Sequence, residues 1–214
     1  STVSNWERDE PETRYWIENF VQTGDVFWDI GANVGIFSIY ANMGGVKPET
    51  YAFEPSSLNF ALLTEHIALN GMNDRITALP VAFADKTGLE TLYFKSSEAG
   101  AACNGLGEAR NQFSGFDAQY KHGALAFTVD DFIKTYKLKQ PDHIKLDVDG
   151  IEGLILKGAK KTLKGIKSLI IELEGQNENN AEIESIFKAA GLTYDPALEG
   201  MGTGRNKLYI GRKK

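Results

Sequence analysis

The chain has 214 residues, a length that suits one domain built around one core. Its formal net charge of −6 argues against a nucleic-acid binder, which usually presents a basic face. Its single cysteine, Cys103, excludes an internal disulfide and a cysteine-based metal site. No apolar run approaches the ~18 residues of a membrane span, and the polar, acidic start from Ser1 to Phe20 does not read as a signal peptide. The expectation is a cytoplasmic protein with no membrane span and no nucleic-acid partner.

Helical and strand patterns alternate from Tyr15 onward. Residues 11–22 predict a helix with Pro11 near its start. Val26 to Ile30 is a short apolar strand. Asn33 to Asn42 predicts a helix, stopped by Gly44-Gly45. Thr50 to Phe53 is a second strand, Ser56 to Leu69 a helix stopped by Asn70-Gly71, and Ile76 to Ala82 a third strand. Thr87 to Lys95 alternates and predicts an antiparallel strand or hairpin arm. Ser96 to Gly123 reads as irregular, and a loop of that length in a small domain is either a functional lid, here on the substrate side, or disordered. Val129 to Tyr136 predicts a helix. Strands follow at His143 to Val148, Ser168 to Leu173 and Lys207 to Ile210, with helices over Glu152 to Leu163 and Ala181 to Ala190.

Strands separated by helices imply an α/β fold: a mainly parallel sheet with helices on both faces, in one domain over residues 1–214. Residues 1–24 form its N-terminal helical segment, and 96–123 the lid. Ligands of such sheets sit at the carboxyl ends of the strands. In DIGANVG, Gly31 follows the first strand and Gly35 opens the helix, so bare backbone faces a ligand there. The spacing is G-x-x-x-G, not the dinucleotide G-x-G-x-x-G. Asp29 would repel a pyrophosphate but suits a ligand carrying an ammonium group. Glu54 ends the second strand, about 20 residues on, where a ribose-binding acid belongs.

Three segments, DIGANVG, FEPSSLNFALLTEHIALNG and IKLDVDGIEGLILKGA, resemble the FkbM-type S-adenosylmethionine-dependent methyltransferases. The resemblance runs from about Asp25 to Gly175. It implies a Rossmann-like methyltransferase fold, with a seven-stranded sheet whose last strand is antiparallel. It also implies O-methylation of a small-molecule or glycan hydroxyl. By position, Asp29, Gly31, Asn33 and Gly35 would hold the methionine part of S-adenosylmethionine and Glu54 the ribose. Ala82 and Phe83 would border the adenine. Ala32, Pro55 and Ser56 complete the implied cofactor site.

IKLDVDGIEG sets Lys145, Asp147 and Asp149 at alternate positions, on one side of a strand if the strand persists. Glu172 and Glu174 add two acids at the next strand end. Three roles are open to this cluster. Asp147 or Asp149 could take or orient the proton of an acceptor hydroxyl, with Lys145 beside it. Asp147, Asp149, Glu172 and Glu174 could instead hold a divalent cation such as Mg²⁺, for which they are hard oxygen ligands. Or Lys145 pairs with one acid and the others cap or solvate. Asn104, Arg110, Phe113, Phe116, Tyr120 and His122, in the lid segment, would suit a sugar-bearing acceptor. His66 reads as structural, and His143 begins its strand, away from the ligand end. Two rivals stand beside the methyltransferase reading: a nicotinamide-dependent oxidoreductase, disfavoured by the missing glycine motif, and a non-catalytic binding or interaction domain.

Overall fold

The structure, a computed structural model, describes residues 10–98, 100–101, 104–109, 115–148, 150–173, 179–202 and 204–212. Cys103, Arg110, Phe113, Asp149 and Glu174 lie outside the described residues. In chain order the strands are β1 Val26–Ile30, β2 Glu49–Phe53, β3 Ile76–Leu79, β4 Ala82–Phe83, β5 Gly88–Phe94, β6 Gly105–Leu106, β7 Tyr120–Phe127, β8 His143–Leu146, β9 Ser168–Glu172, β10 Thr193–Asp195 and β11 Asn206–Ile210. The α-helices are α1 Pro11–Phe20, α2 Ile36–Asn42, α3 Ser57–Leu69, α4 Val129–Tyr136, α5 Glu152–Lys157 and α6 Asn179–Ala190.

The main sheet has seven strands in the order β10-β11-β9-β8-β1-β2-β3. Strands β3, β2, β1, β8 and β9 pair in parallel, and β11 is antiparallel to both its neighbours. Alternation along β1 sends Val26, Trp28 and Ile30 into one core, shared with Phe132 of α4, Ile155 of α5 and Phe187 of α6. Phe27 points the other way, to Trp16 of α1 and Ala41 of α2. Leu63 and Ile67 of α3 pack on Ala52 of β2, on that same side. Three helices therefore cover each face. Fully burying a side chain such as Phe53, at 1% exposure, stabilises the fold by about 2–3 kcal/mol.

At the amino ends of the strands a buried relay fixes α1 to the sheet. The Trp16 indole N–H donates to Ser168 Oγ at 2.8 Å, and Ser168 lies 2.7 Å from His143 Nδ1. His143 Nε2 lies 3.0 Å from Asp25, which Lys167 also engages. A neutral His143 that accepts from Ser168 and donates to Asp25 satisfies every member of this chain. Burial holds the imidazole below its ordinary pKa, against the pull of Asp25.

The structure moves several predicted boundaries. The third strand stops at Leu79, three residues early, because Pro80 brings no backbone N–H to a ladder. Ala82 and Phe83 then join a second, four-stranded sheet of order β4-β7-β5-β6. That sheet replaces part of the expected irregular span: β6 and the first half of β7 fall within 96–123, and β7 pairs antiparallel with β5 from Tyr120 to Ala126. The alternation at 87–95 is therefore one arm of a real antiparallel pair. Helix α5 ends at Lys157, well before Leu163, and the Gly158 carbonyl accepts the Asp130 N–H of α4 where the helical ladder stops. A Cβ there would lie 2.5 Å from the Ala84 carbonyl oxygen.

Candidate active site

The turn after β1 is shaped by close packing. A Cβ on Gly31 (φ +85°) would lie 1.8 Å from the Asp147 carbonyl oxygen, so only glycine lets the ends of β1 and β8 meet. Asn33 and Gly35 also have positive φ, at 50° and 88°, and α2 therefore begins at Ile36 and not at Asn33. The turn spends its amides internally. The N–H groups of Gly31 and Ala32 both donate to the Phe53 carbonyl at 3.0 Å, and that of Gly35 to Ala32.

Glu54 organises this end of the sheet. Its Oε2 accepts the Asn33 N–H and its Oε1 the Ser56 N–H, each at 2.8 Å. Ser56 in turn caps α3 through Asn59 N–H. The carboxylate is 6% exposed and forms part of the wall of a cleft enclosing about 790 Å³, open mouth included. Gly31, Asn33, Pro55, Ala82, Phe83 and Asp147 share the wall with it.

Asp147 lies just beyond β8, which ends at Leu146 because its partner β1 turns away after Ile30. Lys145 Nζ donates to Asp147 Oδ2 at 2.9 Å and lies 5.1 Å from the centre of the Phe37 ring. Burial opposes the ammonium charge, but Asp147, Glu10 and Asp29 outweigh it and raise the Lys145 pKa above the usual lysine range. Burial likewise opposes ionisation of Asp147, and Lys145 reverses the outcome and lowers its pKa. Glu172 hydrogen-bonds Asp147 and sits 3.0 Å from Arg205. Burial and the Asp147 charge push Glu172 up to about 8. The two carboxyls are thus shifted in opposite directions, Asp147 towards the ionised form and Glu172 towards the protonated one.

A model of the methyltransferase FkbM domain matches residues 29–194. The chain belongs to the FkbM methyltransferase family. The hexuronic acid methyltransferase AglP of Haloferax volcanii is 26% identical over 151 residues, 70% of this chain and 56% of that protein. The 31-O-demethyl-FK506 methyltransferase FkbM of Streptomyces tacrolimicus is 30% identical over 74 residues, 35% of this chain and 28% of that one. The crystal structure of methyltransferase FkbM from Methylobacillus flagellatus superposes with a TM-score of 0.60 at 17% identity, over 98% of this chain and 50% of that one. This chain spans about half the length of AglP and of that crystal structure. The order of its main sheet, with β11 antiparallel, is the Rossmann-like methyltransferase arrangement that the FkbM resemblance implies.

Not every predicted residue of this FkbM domain reaches the cleft. Asp29, 1% exposed, lies beneath the wall and accepts from Ser38 Oγ at 2.6 Å. Burial raises its pKa, against the pull of Lys145. Ala32 packs in the core under α3, and Gly35 abuts the Leu63 side chain. Ser56 works as the α3 cap, and Lys145 and Glu172 stand behind Asp147. Lys145 and Arg205 engage the described members of the acidic cluster, and among the described residues no group of three His, Cys, Asp or Glu is arranged for a metal ion.

The sequence reading missed two site residues. Glu10 precedes α1 in a left-handed conformation (φ 58°) and faces Lys145 from across the fold. No local pattern marks it, because its partners are remote in the chain. Asn59 of α3 donates to the Ala101 carbonyl at 3.1 Å and accepts the Gly100 N–H at 2.8 Å, and so ties the segment after β5 across the cleft. A polar residue three places after the Ser56 cap was the available signal. His122 accepts from the Ser57 N–H and packs against Phe94 with its ring tilted, and His66 bonds the Val34 carbonyl, as a structural histidine would.

Whether the cleft suits a nucleoside cofactor can be judged from its polar atoms. Oδ1 of Asn33 and Oδ1 of Asn104 are buried on its wall without a hydrogen-bond partner among the described residues, and Glu54 presents its carboxylate between apolar surfaces. Buried acceptors without donors are uncommon in a finished structure, so these atoms fit a ligand rich in N–H and O–H groups.

Proposed function

We propose that this FkbM domain is an S-adenosylmethionine-dependent methyltransferase. We assign it a hydroxyl of a small molecule or glycan as acceptor, with a sugar-containing acceptor favoured. The observation that carries the reading is Glu54. Two backbone amides aim its carboxylate into a cleft with an apolar slot on one side and Gly31 with Asp147 on the other. That matches a ribose between a purine and an amino-acid tail. Bound there, S-adenosylmethionine supplies an electrophilic methyl group on a positively charged sulfur.

The chain's own groups do the remaining work. Glu54 holds the ribose hydroxyls. Gly31 and Asn33 border the methionine part, and Asp29, beneath them, is proposed to face its ammonium group. Asp147, kept ionised by Lys145, takes or orients the acceptor proton as its oxygen gains the methyl group. Asp149 is proposed for the same acceptor side. Alignment and exclusion of water account for the rest of the acceleration. The acceptor class is supported by two relatives, whose names specify a hexuronic acid and 31-O-demethyl-FK506.

Methyl-labelled cofactor offered with hexuronic acid glycosides and other polyhydroxy acceptors tests this. The expected product is a labelled methyl ether, and Asp147→Asn should lower kcat by about 100-fold or more with little change in cofactor binding. Label appearing on nitrogen or carbon instead, or turnover indifferent to Asp147→Asn, would contradict it.

A further inference from the structure

Glu54 divides the cleft. Towards β8 lie Gly31 and Asp147. Towards β3 and the small sheet lie Val81, Phe83, Leu92 and Leu106. A ribose held at Glu54 therefore sends its flat base into the apolar side. On that side the Asn59 amide is committed to Ala101 and Gly100. Oδ1 of Asn104 is buried there with no partner among the described residues. The sequence placed Asn104 and Tyr120 among the lid-segment residues that would suit a sugar-bearing acceptor. The structure separates them: Tyr120 stacks on Phe94 at 4.2 Å and is not on the cleft wall.

We infer that Asn104 reads the amino edge of the cofactor's purine, its side-chain carbonyl accepting the exocyclic N–H of a 6-aminopurine. The inference rests on the nucleoside reading above and deepens it. A buried acceptor without a donor is unfavourable until a ligand supplies one. A 6-oxo purine would oppose an oxygen to this oxygen, and a 6-dimethylamino purine would bring no hydrogen. The site would thus select adenine over hypoxanthine through one side chain on the segment leading into β6, with Leu92 and Leu106 enclosing the ring.

Titration calorimetry on the intact chain tests this with S-adenosylhomocysteine, its 6-oxo analogue and its N6,N6-dimethyl analogue. The wild type should bind the first at least about tenfold more tightly than the other two, the scale of one buried hydrogen bond. Asn104→Ala should bring that ratio to about one, and Asn104→Asp, which keeps an acceptor, should preserve it. Equal binding of all three by the wild type, or an undiminished ratio in Asn104→Ala, would overturn the inference. The wild-type series needs no variant to fold. Failure of all three to bind would overturn the nucleoside reading and this inference with it, whereas binding without discrimination overturns this inference alone.

Discussion

The ammonium of Lys145 lies 2.9 Å from the Asp147 carboxylate, and the lysine is 3% exposed. Glu10 and Asp29 add to the field that keeps it charged. Removing the lysine leaves Asp147 uncompensated, and with that side chain 26% exposed the cost is about 1–3 kcal/mol. Lys145→Met should therefore destabilise the chain by about that amount in urea unfolding, and the double variant with Asp147→Asn should recover part of it. A single variant as stable as the wild type would show that this pair does not hold the strand ends together.

The carboxyl pair gives a pH signature of opposite sense to the usual one. Glu172 is raised from 4.5 to about 8 in the folded chain. Below the lower value both states carry the proton and nothing is lost. Between the two values the unfolded chain releases a proton that the folded chain keeps, so folding becomes less favourable as pH rises. Glu172→Gln, which keeps a donor towards Asp147, should leave stability near pH 4.5 unchanged and raise it relative to wild type near pH 8. Urea midpoints at the two values check this. A difference that does not grow with pH would mean that Glu172 is ionised throughout.

At the other end of the sheet, His143 has a lowered pKa because it is buried among Trp16, Ser168 and Asp25. Above about pH 6.5 both states are neutral there. As pH falls through that value the unfolded chain takes up a proton that the folded chain resists, and stability drops. Asp25, whose pKa is lowered from 3.8, loses its contribution only in a more acidic window. The wild type should lose more stability between about pH 7 and about pH 5 than His143→Gln does. Parallel curves for the two would remove His143 as the cause.

Periodicity made the layered architecture legible, and β1 and α4 have the bounds that their apolar patterns predict. Pro80 was visible too, and its missing N–H accounts for the break that reading through to Ala82 overlooked. The small sheet was harder to see. β7 carries Lys121, His122 and Gly123 in a half-exposed ladder, so alternation fades where one side faces solvent. At the site, Glu54 was readable from its place after a strand. The commitment of the turn's amides was not, since it depends on Phe53 and Glu54 folding back over Gly31 to Asn33. Glu10 and Asn59 gain their roles only from long-range contacts.

The central claim is that Glu54 marks a nucleoside site for S-adenosylmethionine. Calorimetric titration of the wild type and Glu54→Gln with S-adenosylhomocysteine, and separately with NAD, tests it most directly. The wild type should bind S-adenosylhomocysteine saturably, and Glu54→Gln should weaken that binding at least about tenfold. NAD should show no comparable binding. Tight binding of NAD with none of S-adenosylhomocysteine, or a variant that binds S-adenosylhomocysteine as well as the wild type, would contradict it.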